Sequence, residues 1–187
     1  MYNCPGNFTG KLNYELQACF NCPDFLDCIP AGKYRGKICI ETRKHLLRTI
    51  LSITQNAAFE LMARASQKAE DLNKTVSIAI LDNAGNIMLL AKGNGVGPHN
   101  TEAARRKAYT ALSTKTSTLE LLRNADCSKD TKNLNTLPEL LLLSRGLPIF
   151  YKGVVVGSIG VAGGGSPEND EAIAKSCSIT EYGITTP

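Results

Sequence analysis

The sequence predicts an α+β domain in which helices surround an antiparallel sheet built from hairpins. Three observations predict it. Residues 75–92 and 147–161 each read as strand, tight turn and returning strand. Each second strand follows its turn directly, without the crossover helix that parallel βαβ units need. The helical stretches fall before, between and after the two hairpins.

Composition sets the bounds. The chain has 187 residues, 43% of them hydrophobic and 20% charged, which suits one globular domain with a small appendage. A net charge of +4 is mild. It favours an acidic small molecule, but basic and aromatic residues do not interleave, so nucleic acid is set aside. No apolar run reaches the roughly 18 residues of a membrane span. Met1-Tyr2-Asn3-Cys4 lacks the basic-then-apolar order of a signal peptide.

Cysteine usage places a boundary near residue 40. Cys4, Cys19, Cys22, Cys28 and Cys39 lie before it, and only Cys127 and Cys177 after it. Residues 1–40 carry several Pro and Gly and no sustained periodicity, so they read as a cysteine-rich N-terminal extension to a domain at 41–187. Such a segment buries little apolar surface and needs a staple. Two readings stand. Four of the five cysteines form two disulfides. Alternatively Cys19, Cys22 and Cys28, with Cys4 or Cys39, hold zinc or an iron–sulfur cluster, because thiolates suit both. Cysteine density points toward an extracytoplasmic, periplasmic or secreted, home.

Residues 41–73 read helical. Leu46, Leu47, Ile50 and Leu51 recur at helical spacing, as do Ala57, Ala58, Leu61, Met62, Ala65, Ala69 and Leu72. Ser52-Ile53-Thr54 offers a break and a cap for a second helix. In the first hairpin Val76, Ile78 and Ile80 alternate with polar or small residues. Asp82-Asn83-Ala84-Gly85-Asn86 is turn chemistry, and residues 87–91 return.

A glycine-rich loop at 93–98 leads to His99. Asn100 or Thr101 is the expected cap of the next helix. Ala103, Ala104, Ala108 and Ala111 give that helix a small-residue face for close packing, interrupted by Arg105, Arg106 and Lys107. A short helix follows at 116–124, then a polar loop at 126–136 and a helical turn from Pro138. Cys127 and Cys177 have no near partners and read as buried or free thiols.

Residues 146–177 organise the chain. Residues 147–151 form a short apolar strand and Lys152-Gly153 a two-residue turn. Residues 154–161 are almost wholly apolar, which predicts a strand covered on both faces. Gly157 and Gly160 leave bare backbone there, where a helix or ligand can come close. Gly163-Gly164-Gly165 releases the chain into a helix capped by Ser166. Pro167 takes its first position, and Glu168, Asp170 and Glu171 suit the dipole.

Three blocks carry a resemblance: Ile78-Ala79-Ile80-Leu81-Asp82-Asn83-Ala84-Gly85-Asn86, Ala104-Arg105-Arg106-Lys107-Ala108-Tyr109-Thr110-Ala111, and the stretch from Gly146 through Gly163-Gly164-Gly165 to Lys175. In this order over residues 54–179 they resemble the haem-binding (haem-degrading-like) family. The resemblance covers about two-thirds of the chain and leaves the N-terminal extension outside it. It implies a profilin-like α+β fold with one antiparallel sheet of about five strands, a homo-oligomer, and a haem or related tetrapyrrole as ligand, for storage, sensing or degradation. Where many relatives carry a charged Arg-x-Asp stretch after the second strand, this chain has Lys92-Gly93-Asn94-Gly95.

Haem needs an apolar slot, an axial ligand and cations for its propionates. His99 is the axial candidate, with Asn100 beside it and Arg105, Arg106 and Lys107 as cations. Lys107 reads either as a functional lysine or as a structural ion pair. No C-x-x-C-H motif exists, so covalent haem is not expected. Three other classes stand beside haem. One is a redox or metal module on the N-terminal cysteines. Another is an acid/base enzyme for a small carbonyl or acid substrate, using His99, Glu102 and Lys107. The third is a non-catalytic oligomeric binding protein. A dinucleotide site at 157–171 is rejected, because the G-x-G-x-x-G order and the acidic ribose partner are missing.

Overall fold

The structure, a computed structural model, describes residues 48–187. The compact unit runs from Ile50 to Pro187. The expected boundary at residue 40, the helix over residues 41–47, and the disulfide or metal readings of Cys19, Cys22 and Cys28 lie outside the described residues. Ten elements follow: α1 (Gln55–Asp71), β1 (Ser77–Asp82), β2 (Ile87–Lys92), α2 (Pro98–Thr114), α3 (Thr118–Cys127), α4 (Lys129–Asn133), β3 (Gly146–Tyr151), β4 (Val154–Ala162), α5 (Pro167–Ser176) and β5 (Ile184–Thr185). The strands form one antiparallel sheet in the order β2-β1-β4-β3-β5. This is the α+β fold with an antiparallel sheet that the sequence predicted, and its five strands are the number that the resemblance implied.

The alternation of side chains divides the core between the two faces of the sheet. Ile78 and Ile80 of β1, Ile159 and Val161 of β4 and Leu147 of β3 point to one face. There α1 supplies Ala58, Leu61, Ala65 and Ala69, and α5 supplies Ile173 and Ala174. On the other face, Ala79, Leu81 and Ala162 meet Ala104 and Ala108 of α2. Coverage on both sides accounts for the almost unbroken apolar run of β4, of which only Val154 is exposed.

Gly160 and Gly146 explain how closely α2 lies on the sheet. They are paired neighbours on β4 and β3. A Cβ on Gly160 would stand 2.0 Å from the Ala104 carbonyl oxygen, and one on Gly146 2.1 Å from that of Lys107. Bare backbone at both is therefore a packing requirement.

The turns follow their local chemistry. In the first hairpin Asp82 Oδ1 accepts from the Ala84 and Asn86 amides at 2.9 and 2.8 Å, and Gly85 takes φ +84°. In the second, Lys152 and Gly153 hold φ +48° and +77°, the paired left-handed residues of a type I′ turn. Ser166 caps α5, accepting from the Asn169 amide, with Pro167 next.

Four features differ from expectation. Residues 48–51 are not helical, although the break at Ser52-Ile53-Thr54 and the Thr54 cap of α1 are as expected. Tertiary bonds draw this segment out: the Ile53 amide donates to Val156 O at 3.0 Å, and the Asn83 side chain to Leu51 O at 2.9 Å. Helix α2 starts at Pro98 with Gly97 as its cap residue, ahead of the expected Asn100 or Thr101. Thr101 Oγ1 instead lies 3.3 Å from Ser77 Oγ. The polar stretch after Cys127 contains the short helix α4, and β5 completes the sheet against Phe150 and Tyr151.

Candidate functional site

Three loops meet at one end of the sheet: 73–76 before β1, 93–97 between β2 and α2, and 163–165 between β4 and α5. The Gly93 amide donates to Val76 O at 3.0 Å, joining the first two. A Cβ on Gly163 would stand 3.0 Å from Val96 Cγ1 and 3.7 Å from Asn100 Cγ, joining the second and third. A Cβ on Gly165 would lie 4.0 Å from Lys74 Nζ. Around Gly95 the space is open to at least 4 Å.

His99 stands exposed on this rim, in the first turn of α2. Its ring folds back over the loop, with Cε1 2.9 Å from where a Gly97 Cβ would stand. Among the described residues none hydrogen-bonds the imidazole. Seven residues separate His99 from Arg106 and Asn100 from Lys107, so each pair shares a helix face about 10 Å apart.

Arg105 and Arg106 clamp the segment that precedes β3. Arg105 holds Glu102 through Nε (2.9 Å) and Nη2 (2.7 Å), and Glu139 through Nη2 (2.8 Å). Its hydrogen bond to Glu102 holds that carboxyl below the usual carboxylate range. Arg106 Nη2 donates to Leu140 O at 2.7 Å, and the Leu141 amide donates to Thr110 Oγ1 at 2.8 Å. Arg106 Nε is buried without a partner among the described residues.

Lys107 is 3% exposed. It donates to Val161 O at 2.8 Å and lies 3.7 Å from Asp170 Oδ2. Burial lowers its pKa, and the Asp170 carboxylate opposes that shift. Asp170 Oδ1 in turn accepts from the Gly164 amide at 2.7 Å, while Asn169 Nδ2 donates to Gly164 O at 3.0 Å. Lys107 therefore ties α2 to β4, α5 and the 163–165 loop in the manner of a structural ion pair. His99 stands on the rim, Glu102 one turn further along the same helix is held by Arg105, and Lys107 is buried with Asp170.

Sequence reasoning missed three charged residues here. Lys74 gave no signal beyond its place before a strand. Asp170 was read only as a complement to the helix dipole. Arg145 is 5% exposed, holds φ +94°, and donates through Nε to Pro167 O. Nothing in its local sequence separates it from a surface arginine. Cys177 is buried and donates to Leu61 O at 3.3 Å, and burial pushes its thiol pKa well up. Cys127 is exposed, and both are free. Among the described residues no group of three His, Cys, Asp or Glu could hold a metal ion, and no helix is long and apolar enough to cross a membrane.

Known proteins share this architecture. The crystal structure of HbpS superposes with a TM-score of 0.66 at 35% identity, covering 70% of this chain and 91% of that one. The crystal structure of a PduOC–haem complex superposes with a TM-score of 0.64 at 23% identity, over 73% of this chain and 99% of its own, which is a likeness of fold. Protein GlcG of Escherichia coli (strain K12) is 26% identical over 119 residues, covering 62% of this chain and 85% of GlcG. Residues 53–178 match the family model described as haem degrading protein HbpS-like. That match runs from the first core residue, Ile53, to just past the end of α5, taking in all three loops of the rim, and the chain belongs to the HbpS-like family.

Proposed function

We propose that this chain binds haem at the rim where the three loops meet, with His99 as the axial ligand. The placement of His99 carries the reading: an exposed imidazole, without a hydrogen-bond partner among the described residues, at the mouth of an open glycine-lined rim. Family membership supports the tetrapyrrole as the ligand class. The fold accommodates haem in PduOC.

The residues present suit the group. A neutral imidazole nitrogen is a common iron ligand. The Lys74 ammonium, beside Gly165, can pair with a propionate. Arg105 suits that role less well than its sequence position suggested, because a propionate there would have to displace Glu102 or Glu139. Bound haem would supply an iron centre for electron-transfer and oxygen chemistry. The chain's own contribution is to orient the imidazole from a fixed helix end and to keep the 163–165 loop in place through Asp170 and Asn169.

The test is a haemin titration read at the Soret band, under reducing and non-reducing conditions, with wild type, His99→Ala and Lys74→Ala. A saturable one-to-one shift is expected in wild type, with an altered band position in His99→Ala and weaker binding in Lys74→Ala. Absence of saturable binding in wild type refutes the haem reading. An unchanged spectrum in His99→Ala refutes the axial assignment alone.

A further inference from the structure

We propose that Asp170 is a positioning residue for the rim: its carboxylate, set in place by Lys107, latches the 163–165 loop into the shape that receives the ligand. The ligand side of this inference rests on the haem reading above, and the latch rests on its own geometry. Asp170 Oδ2 lies 3.7 Å from Lys107 Nζ, and Oδ1 accepts from the Gly164 amide at 2.7 Å. Asn169 Nδ2 donates to Gly164 O at 3.0 Å, so side chains of α5 take both main-chain polar groups of Gly164. A Cβ on Gly164 would collide with Asp170 Oδ1, so the loop wraps the carboxylate as closely as bare backbone allows.

Stability alone does not account for the pair. Lys107 is 3% and Asp170 8% exposed. Taking both charges out of water offsets their attraction, and apolar residues of similar volume often stabilise a fold equally well or better. Arg145 adds a second cation whose charge opposes that of Lys107, which deepens the cost of keeping the lysine charged. What an apolar pair cannot supply is an acceptor for the Gly164 amide, whose hydrogen bond is buried.

The two residues divide the work. Lys107 Nζ donates to Val161 O at 2.8 Å, so the ammonium is fixed to β4 and gives the carboxylate a place measured from the sheet. Asp170 carries that place into the loop through Gly164. The neighbours of Gly164 form the rim itself: Gly163 faces Val96 and Asn100, and Gly165 lies beside Lys74. Keeping the acceptor without the charges should therefore keep the loop, whereas removing the acceptor should free it even in a stable fold.

The test compares wild type with two double variants, Lys107→Met with Asp170→Leu and Lys107→Met with Asp170→Asn. Three quantities are read: the urea midpoint, hydrogen exchange of the Gly164 amide in the unliganded protein, and the haemin Kd from the Soret band. Both double variants should melt near the wild-type midpoint. With Asp170→Leu, Gly164 should exchange at least about tenfold faster, the loss of one charge-assisted hydrogen bond. Haemin should then bind about fivefold more weakly, because the apparent Kd rises as the ordered fraction of the loop falls. With Asp170→Asn an amide oxygen still accepts, so most of the protection should remain and haemin should bind within about twofold of wild type. If only the Asp170→Leu variant unfolds, Gly164→Ala displaces Asp170 Oδ1 with both charges kept, and the faster exchange is read at Gly163 and Gly165. Equal Gly164 exchange in the two double variants, unfolding of both, or faster exchange with an unmoved haemin Kd would each overturn the proposal. Absence of haemin binding by wild type refutes the haem reading and with it the role at the rim; the exchange rates, measured without ligand, report separately on the latch.

Discussion

Gly160→Ala probes how rigidly α2 is set on the sheet. The added methyl would stand 2.0 Å from Ala104 O, 3.0 Å from Ala104 C and 2.7 Å from Ala108 N. All three are helix backbone atoms, so no rotamer change relieves the clash. Contacts below 3.0 Å essentially never occur for a real Cβ, so α2 must retreat by about 1 Å. A gap of that size forfeits a quarter to a half of each dispersion contact that the helix makes with the sheet. Gly160 itself is not in the left-handed region, so the cost is packing alone. Overpacking of this kind costs about 1–3 kcal/mol, and the backbone clash places this case at the upper end, near 3 kcal/mol.

Urea denaturation followed by far-UV circular dichroism measures this directly, with the loss expected in the midpoint at unchanged m. Gly95→Ala is the control. It has φ +78° and nothing within 4 Å, so it carries only the conformational cost of about 1–2 kcal/mol. Ala104→Gly in the Gly160→Ala background should restore nothing, because the clash is with the Ala104 carbonyl rather than its methyl. Gly146→Ala pushes the same helix through Lys107 O at 2.1 Å, so the double variant should cost less than the sum of its parts. A loss under about 0.5 kcal/mol for Gly160→Ala, or full additivity with Gly146→Ala, would refute the argument that backbone contact sets the spacing of helix and sheet.

Two further outcomes follow from the charged and thiol groups. Iodoacetamide should label the Cys127 peptide in the native protein and the Cys177 peptide only after unfolding, since burial suppresses the Cys177 thiolate; native labelling of Cys177 by mass spectrometry would refute its burial. Glu102 has a folded pKa below its unfolded value, so its contribution is present above the unfolded pKa and is lost as pH falls through the folded pKa. Because the pair with Arg105 is largely exposed, Glu102→Gln should change stability by under about 1 kcal/mol at neutral pH and reduce the slope of stability between about pH 5 and 3; an unchanged slope in a pH series of urea melts would count against the clamp.

The parts of the fold legible in sequence are those that local chemistry decides. Asp82 with Gly85, Lys152 with Gly153, and Ser166 with Pro167 each satisfy their own backbone within a few residues, so both hairpins and the start of α5 were readable. The doubly apolar β4, with its bare Gly160, even announced a close helix. What failed was decided at long range. Ile50 and Leu51 repeat at helical spacing, yet the segment is drawn straight by Val156 and Asn83. The two residues of β5 have no pattern of their own and become a strand because Phe150 and Tyr151 present a free edge. Pro148 lacks an N–H for that edge, which helps confine the pairing to the last residues of β3.

The site divides along the same line. The exposed place of His99 beside a glycine-rich loop was legible because such loops and helix starts are sequence features. The cluster beneath it was not, because Lys107 meets Val161 and Asp170 across 54 and 63 positions of chain. That cluster changes the meaning of the lysine. A single carboxylate, Asp170, faces Lys107 with one oxygen and holds the Gly164 amide with the other. Removing the lysine charge would leave Asp170 buried and unpaired, and the carboxylate would have to seek water or a proton. Either response loosens its grip on the 163–165 loop, and with it the wall of the rim that faces Val96 and Asn100. On the proposed function Lys107 would be a positioning residue: buried with Asp170, it would act on a ligand at the rim through the 163–165 loop rather than by touching it.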